Sequence, residues 1–254
     1  MLPLVFPIYK PLGLTPLQTL DKLRVQYTEL EKETLAYAGR LDPMAEGLLL
    51  VLRGDACKER DKYQRLPKTY EIEVLFGVST DTYDTLGLIT SFSPEKTPLI
   101  NDTIVKSLLA PRLGKQIQEY PPFSAAKING KPLYFWARHG KEVTPPTREV
   151  EIYSLDHIST TSRTSQALLT SIEKRIQLVF GDFRQDEILQ TWKQYLSTDY
   201  TFPCITLIAE CSSGTYMRSL AHQLGHALNS SAIAYSIKRT RIGEFRESDA
   251  LTLS

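Results

Sequence analysis

Apolar residues along the chain follow two different periods, which predicts a mixture of strands and helices. KTYEIEVLFGV (68–78) alternates apolar residues with Glu71 and Glu73, the period of two that is typical of a half-buried strand. LLLVL (48–52) is short and wholly apolar, which predicts a buried strand. Further strands are predicted at LVFPIYK (4–10), REVEIYSLD (148–156), PCITLIAE (203–210) and AIAYSIKRTRIGEF (232–245).

Helix-start chemistry is clearest in TPLQTLDKLRVQYTEL (15–30). Thr15 can cap the helix, Pro16 suits the first turn, and Gln18 has the spacing of a capping box. Its predicted apolar face consists of Leu17, Leu20, Leu23 and Leu30. Other helices are predicted at NDTIVKSLLA (101–110), PLYFWARHG (132–140) and GTYMRSLAHQLGHAL (214–228).

Residues from about 159 to 200 differ in character from their surroundings. They begin rich in Ser and Thr and then carry two helical patterns, LLTSIEKRIQLVF and QDEILQTWKQYL. We interpret this segment as a helical insert within one domain that spans residues 1–254, a length that suits a single domain. Because strands and helices mix without regular βαβ alternation, we expect an α+β fold.

Composition narrows the class of protein. The chain is 42% hydrophobic and 23% charged, as in soluble globular proteins, and no apolar run reaches the roughly 20 residues of a membrane helix. The N-terminal segment lacks the basic leader of a signal peptide. Cys57, Cys204 and Cys211 form no CxxC pair, so we expect reduced thiols and a cytoplasmic protein.

Positive charge is concentrated locally although the formal net charge is only +1. Seven Lys and Arg residues oppose two Glu residues between Pro111 and Arg148, and four oppose one between Ser236 and Arg246. Such surfaces can bind phosphates, and they can equally be ordinary solvated faces. YPPFSAAKINGKPLYFWARHGKEV (120–143) also interleaves aromatic residues with the cations, which suits unpaired RNA, whereas its aromatic residues can also be core.

The stretch GRLDP (39–43) holds one carboxylate immediately before the buried strand. Gly39 permits a tight turn and Pro43 fixes its far side, so Asp42 lies on a stiff turn. Asp42 is either a turn-forming residue or a nucleophile or base. Arg218 is either a surface helix residue or the partner of a carboxylate, which it would keep ionised.

No motif indicates a cofactor or a metal ion. The chain has no GxxxxGK[ST], no GxGxxG fingerprint and no Ser-His-Asp signature. His222 and His226 have HxxxH spacing, but no acidic residue gives them the HExxH arrangement.

Six segments, taken in order along the chain, resemble the motifs of the TruB-type tRNA pseudouridine synthases. They are YKPLGLTP (9–16), AGRLDPMAEGLLLVLRGDACK (38–58), KTYEIEVLFGVSTDTYDTLGLI (68–89), YPPFSAAKINGKPLYFWARHG (120–140), ECSSGTYMRSLAHQLG (210–225) and SIKRTRIGEF (236–245).

This resemblance implies the pseudouridine synthase fold, with a central mixed, mostly antiparallel sheet flanked by helices and loops. It also implies isomerisation of the T-loop uridine of tRNA (position 55) to pseudouridine without a cofactor or metal. Asp42 matches the family's catalytic aspartate, a nucleophile or a base at the ribose, and Arg218 matches the arginine paired with it. Tyr70 matches the tyrosine that stacks on the target base and assists proton removal from C5.

The resemblance further implies contacts with the T arm of tRNA. We expect RNA contacts from Lys10, Arg40, Lys127 and Arg239, together with the TDTYD loop (80–84). We expect a monomer, with no membrane partner and without the C-terminal PUA domain that many relatives carry.

Several departures from the family pattern keep alternatives open. GRLDP stands where the family usually has GTLDP, and this spelling is shared with the rRNA-directed RluA and RsuA families. Tyr37 replaces a histidine, Lys238 an arginine and Gln223 an acidic residue. The alternatives are an rRNA-directed pseudouridine synthase and a tRNA-binding or tRNA-folding protein with weak catalysis.

Overall fold

The computed structural model describes residues 2–97 and 99–253 of the chain. The strands in these residues are β1 (Val5–Lys10), β2 (Leu35–Ala38), β3 (Ala45–Arg53), β4 (Lys68–Phe76), β5 (Val78–Thr80), β6 (Ile89–Phe92), β7 (Gly114–Glu119), β8 (Lys127–Ile128), β9 (Lys131–Pro132), β10 (Thr147–Thr164), β11 (Thr201–Cys211), β12 (Ala232–Ile242) and β13 (Phe245–Arg246). The helices are α1 (Pro16–Gln26), α2 (Arg60–Gln64), α3 (Asp102–Leu109), α4 (Leu133–Arg138), α5 (Ser165–Gln177), α6 (Gln185–Tyr195) and α7 (Met217–Ala227).

One large sheet runs through the molecule in the order β1-β3-β12-β4-β11-β10-β7, with β2 added to β3 and β13 to β12. Within the described residues, β3 and β12 form its parallel pair and the other neighbours are antiparallel. The predicted α+β class with a mixed, mostly antiparallel sheet is therefore confirmed.

The central strand β4 has apolar side chains on both faces of the sheet, and helices cover each face. Ile72 and Val74 point to one face, where they share a core with residues of α3 and α7. Leu75 points to the other face and shares a core with residues of α5 and α6, including the fully buried Trp192. A third core joins α1 to β1 and β3 through Leu20, Leu23 and their neighbours.

Helix α1 begins as its sequence predicts. The Gln18 amide N–H donates to the Thr15 hydroxyl at 3.2 Å, and the Gln18 side-chain oxygen accepts from the Thr15 amide at 2.8 Å. Leu20 and Leu23 are buried as expected, but the prediction for Leu17 is wrong, since its side chain is 61% exposed. Leu17 lies in the first turn, beside an open cavity.

The helical segment predicted at about 159–200 is shorter in the structure. Residues 159–164 continue β10, where they pair with β11 from Ser159 opposite Thr206 to Thr164 opposite Thr201. Threonine, which is β-branched, fits an extended strand, so the Ser/Thr-rich stretch does not begin the helices. The helices themselves, α5 and α6 with the tip loop 178–184 between them, form a pair that we call the α5–α6 pair.

Within the described part of the chain, every helix is too short or too polar to cross a membrane.

The parallel contact between β3 and β12 depends on a residue without a side chain. Gly47 lies opposite Arg239 with φ +100°, and a Cβ atom there would lie 2.3 Å from the Arg239 carbonyl oxygen. Gly54 also has a positive φ, +55°, but a Cβ atom there would find its nearest neighbour 3.7 Å away.

We expect Gly47→Ala to lower the free energy of unfolding by at least about 2 kcal/mol more than Gly54→Ala, because both strain the backbone but only Gly47→Ala also forces two strands apart. Urea unfolding of the two variants measures the difference. Equal losses of stability would show that the close approach of β3 and β12 is easily relaxed.

Candidate active site

A cavity of about 630 Å³ lies where the GRLDP turn, β4, the TDTYD loop and the start of α7 meet. Asp42, Tyr70 and Arg218 all line it, although they are far apart in the sequence. The structure therefore brings together the three residues that the sequence analysis assigned to catalysis.

Asp42 lies in the turn between β2 and β3, and its carbonyl oxygen closes that turn by accepting from the Ala45 amide at 3.0 Å. Its carboxylate Oδ2 accepts a hydrogen bond from Arg218 Nε at 2.8 Å. The Asp42 side chain is 31% exposed, so this carboxylate is held firmly and remains open to the cavity.

Arg218, the second residue of α7, is buried rather than exposed on the helix surface. Its Nη1 donates to the Thr82 carbonyl oxygen at 2.7 Å and its Nη2 to the Phe123 carbonyl oxygen at 3.1 Å. Burial disfavours the charged guanidinium, but Asp42 and Asp84 outweigh this effect and raise the pKa of Arg218 above its ordinary value. The surface reading of Arg218 is thus wrong.

Asp84 is a second carboxylate beside the same arginine, and nothing in the TDTYD sequence distinguishes it from Asp81 in the same loop. Its Oδ2 lies 3.7 Å from Arg218 Nε, and its Oδ1 accepts from Thr82 Oγ1 and from the Leu86 amide, each at 2.8 Å. Burial, together with the charge on Asp42, raises the pKa of Asp84. The Asp84 carboxylate is therefore buried and faces Arg218.

Tyr70 lines the cavity from β4. Its ring centre lies 5.9 Å from the guanidinium carbon of Arg239, and Arg239 Nη1 lies 3.5 Å from its hydroxyl oxygen. Burial raises the pKa of Tyr70, so the phenol is protonated at neutral pH.

Arg239 braces the turn that carries Asp42. Its Nε donates to the Leu48 carbonyl oxygen at 2.7 Å and its Nη2 to the Gly39 carbonyl oxygen at 3.0 Å. A longer bond of 3.4 Å joins Nη1 to the Arg40 carbonyl oxygen. Arg239 lines the cavity, but it is only 1% exposed and its guanidinium is already bonded to these carbonyl oxygens, so its expected RNA contact stays a prediction.

Lys10 is likewise inside the protein, with 0% exposure. Its Nζ donates to the carbonyl oxygens of Pro11 at 2.9 Å and Leu14 at 2.6 Å. The expected RNA contact from Lys10 is not available in this arrangement, because its amine already holds the loop that precedes α1.

Comparison with known proteins decides the family. The TruB family pseudouridylate synthase N-terminal domain matches residues 28–177 of the chain. The tRNA pseudouridine synthase B of Bordetella avium is 30% identical over 245 residues, which cover 96% of this chain and 82% of that protein. The enzyme of the same name from Listeria welshimeri is 31% identical over 250 residues, which cover 98% of this chain and 69% of that protein.

The chain belongs to the TruB family of pseudouridylate synthases.

Solved structures support the same fold for this TruB-family chain. It superimposes on a chain of a Cbf5-Nop10-Gar1 complex with a TM-score of 0.61 at 19% identity, covering 98% of this chain and 52% of that one. A chain of an H/ACA RNP structure with bound substrate RNA gives a TM-score of 0.58 at 18% identity, covering 98% of this chain and 50% of that one. The predicted pseudouridine synthase fold is confirmed.

The remaining predicted RNA contacts of this TruB-family protein, Arg40 and Lys127, are exposed. Arg40 lines the cavity beside Tyr37, and its Nη2 donates to the Tyr37 hydroxyl at 3.4 Å. Lys127 lies in β8, outside the cavity lining.

Four cations that line the cavity, Lys68, Arg138, Arg148 and Arg184, are not among the site residues predicted from the sequence. Lys68 is buried and donates to the carbonyl oxygens of Gln64 and Leu66, and burial lowers its pKa to about 8. Arg148 is exposed and lies against Gly214, where a Cβ atom would come within 2.4 Å of its guanidinium carbon. The only sequence signal for Arg148 was its place at the end of the basic segment 111–148.

The two histidines on α7 interact with each other. His222 stacks on Tyr83 with ring centres 3.8 Å apart, and its Nε2 lies 3.0 Å from that of His226. Burial, with a smaller effect of His226, lowers the pKa of His222 to about 4. In residues 2–97 and 99–253, no group of three or more His, Cys, Asp or Glu side chains is placed to hold a metal ion.

Burial of Lys10 makes stability depend on pH. Burial lowers the pKa of Lys10 to about 7, although Asp42 and Glu46 oppose the shift, and the pKa of an unfolded lysine is about 10.4. Between these values the unfolded chain binds more protons than the folded one, so this residue makes the free energy of unfolding rise with pH.

We expect the wild type to gain stability relative to Lys10→Met between about pH 6.5 and about pH 9.5, by on the order of a few kcal/mol. Urea unfolding of both proteins at the two pH values tests this, with Lys22→Met on the exposed face of α1 as the control for loss of one charge. A difference that stays constant with pH would contradict the buried amine.

Proposed function

We propose that this protein converts the T-loop uridine of tRNA (position 55) to pseudouridine, with Asp42 as the catalytic group. The observation that carries the proposal is the 2.8 Å contact between Asp42 and the buried Arg218 at a cavity lined by Tyr70. Two longer proteins that match nearly all of this chain at 30% and 31% identity are named tRNA pseudouridine synthase B, which supports tRNA as the substrate.

The reaction is an isomerisation, so every atom of the uridine is retained. The glycosidic bond between C1′ and N1 breaks, the uracil turns within the cavity, and a bond forms between C1′ and C5. C5 then loses its proton and N1 gains one. Asp42 acts at the ribose, either as a nucleophile or as a base, and needs its carboxylate ionised.

Arg218 favours that ionised form by a charge-assisted hydrogen bond. Since the carbonyl oxygens of Thr82 and Phe123 accept from its Nη1 and Nη2, the guanidinium is held in place when the charge on Asp42 changes during the reaction. Electrostatic stabilisation is strongest when donors are fixed in advance, and this arrangement has that property.

The cavity also suits a nucleoside whose base is flipped out of the RNA loop and no longer stacks on its neighbours. Its volume of about 630 Å³ is in the range of small-molecule sites, and flipping a base out of a folded loop costs about a few kcal/mol. We assign the Tyr70 ring to stacking on the flipped base, which offsets part of that cost. Because Tyr70 is protonated, its hydroxyl oxygen can take the C5 proton only while its own proton passes to water, and N1 takes a proton from water in turn.

The first experiment is pseudouridine mapping at single-nucleotide resolution on an unmodified tRNA transcript. We expect one T-loop signal with the wild type and a loss of rate of at least about a thousandfold with Asp42→Asn, since the amide cannot act as nucleophile or base. Binding of the same transcript by Asp42→Asn is the control for folding.

Product from Asp42→Asn at the wild-type rate would exclude Asp42 as the catalytic group. Signals in rRNA but not in tRNA would favour the rRNA-directed alternative, and tRNA binding without any product would favour an RNA-binding role.

Arg40 and Lys127 are the exposed cations that we propose to contact RNA phosphates. We expect Arg40→Ala and Lys127→Ala each to weaken tRNA binding and to reduce the slope of log K against log salt by about 1. Lys106→Ala, on the exposed side of α3, is the charge-matched control. If all three variants lose the same affinity, the effect comes from net charge and the two contacts are not supported.

A further inference from the structure

We propose that Arg184, in the tip loop of the α5–α6 pair, is a positioning residue for the catalytic pair Asp42–Arg218. Arg184 contacts both chain segments whose carbonyl oxygens hold the Arg218 guanidinium. This inference rests on the function proposed above and adds the α5–α6 pair to the catalytic apparatus.

The first contact of Arg184 is a two-pronged ion pair. Its Nη1 donates to Asp81 Oδ2 at 2.8 Å, and its Nη2 donates to Asp81 Oδ1 at 3.3 Å. Asp81 directly precedes Thr82, the residue whose carbonyl oxygen accepts from Arg218 Nη1 at 2.7 Å. The same Asp81 Oδ1 accepts from the Leu88 amide at 2.9 Å, so the carboxylate is also tied to its own loop.

The second contact is with an aromatic ring. The guanidinium carbon of Arg184 lies 4.5 Å from the ring centre of Phe123, within the range of a cation–π interaction. The carbonyl oxygen of Phe123 accepts from Arg218 Nη2 at 3.1 Å. One guanidinium thus joins the two segments that position the other.

The backbone at Arg184 supports a specific placement. Its φ of +65° is left-handed, a conformation that is uncommon for residues other than glycine and persists where the surroundings enforce it. Gln185 supplies part of this constraint, since its Oε1 accepts from the Phe183 amide at 2.8 Å and its Nε2 donates to the Gly181 carbonyl oxygen at 2.6 Å. The tip loop therefore presents Arg184 in a fixed direction.

The expected effect is on the chemical step more than on RNA binding. Both side chains of the Arg184–Asp81 pair are mostly buried, where a bidentate pair is geometrically specific. Without it, the Thr82 and Phe123 carbonyl oxygens can shift and Arg218 can shift with them. A displacement of about 1 Å in a catalytic group can cost on the order of a hundredfold in rate.

The test is single-turnover pseudouridine formation at saturating tRNA, with the dissociation constant for tRNA measured separately. We expect Arg184→Ala to lower the rate constant by about tenfold or more while the dissociation constant stays within about threefold. Arg184→Lys should recover only part of the rate, because an ammonium group cannot form the bidentate pair. The rate constant of the double variant Asp81→Ala/Arg184→Ala should be no lower than that of the slower single variant, because both substitutions remove the same ion pair.

Lys193→Ala is the matched control. Lys193 pairs with Glu173 at 3.1 Å within the same helix pair but does not line the cavity. We expect the Lys193→Ala rate constant to equal that of the wild type, which separates loss of the Arg184 contacts from general loosening of the helices.

Hydrogen exchange of the segment 80–88 gives a readout that does not depend on activity. We expect faster exchange there in Arg184→Ala than in Lys193→Ala or the wild type. An unchanged rate constant, an additive double variant, unchanged exchange, or a weaker affinity with an unchanged rate constant would each overturn the positioning role. A wild type that forms no pseudouridine in tRNA would instead contradict the proposed function.

Discussion

A buried guanidinium needs an acceptor for its donors, and this requirement at Arg218 organises the site. The Asp42 carboxylate accepts from Nε, and the carbonyl oxygens of Thr82 and Phe123 accept from Nη1 and Nη2. Each acceptor comes from a different part of the chain. Leaving a buried charged donor unpaired costs several kcal/mol, so the position of each loop depends on the others.

A second buried arginine applies the same constraint to the turn that carries Asp42. Arg239 reaches from β12 to the carbonyl oxygens of Gly39 and Leu48, on either side of that turn. The parallel pairing of β12 with β3 brings it there, and Gly47 allows the close approach. Two cations that resemble nucleic-acid contacts in the sequence, Arg239 and Lys10, are thus internal braces. The cations that remain exposed include Arg40, Lys127 and Arg148.

The α5–α6 pair contributes to both packing and the site. One side of it supplies Trp192 and its neighbours to the core on the second face of the sheet. Its tip loop reaches the cavity, where Arg184 pairs with Asp81 and lies over Phe123. The sequence predicts such a helix pair only as an insert that packs on the core. The pattern of its apolar positions indicates which residues are buried, but it does not predict the contacts of the tip loop.

The sequence by itself determined most of the local structure and the identity of the catalytic candidates. The alternation in β4, the apolar run of β3 and the capping box at Thr15 depend on neighbouring residues, so their prediction needed no knowledge of the fold. The ordered motifs likewise pointed to Asp42, Tyr70 and Arg218. The tertiary structure decided which cations are buried, that Asp84 faces Arg218, and that Arg184 reaches Asp81. Those outcomes depend on contacts between residues that are distant in sequence. The position of a charged residue in the sequence is the same whether its side chain lies in water or against a buried carbonyl oxygen.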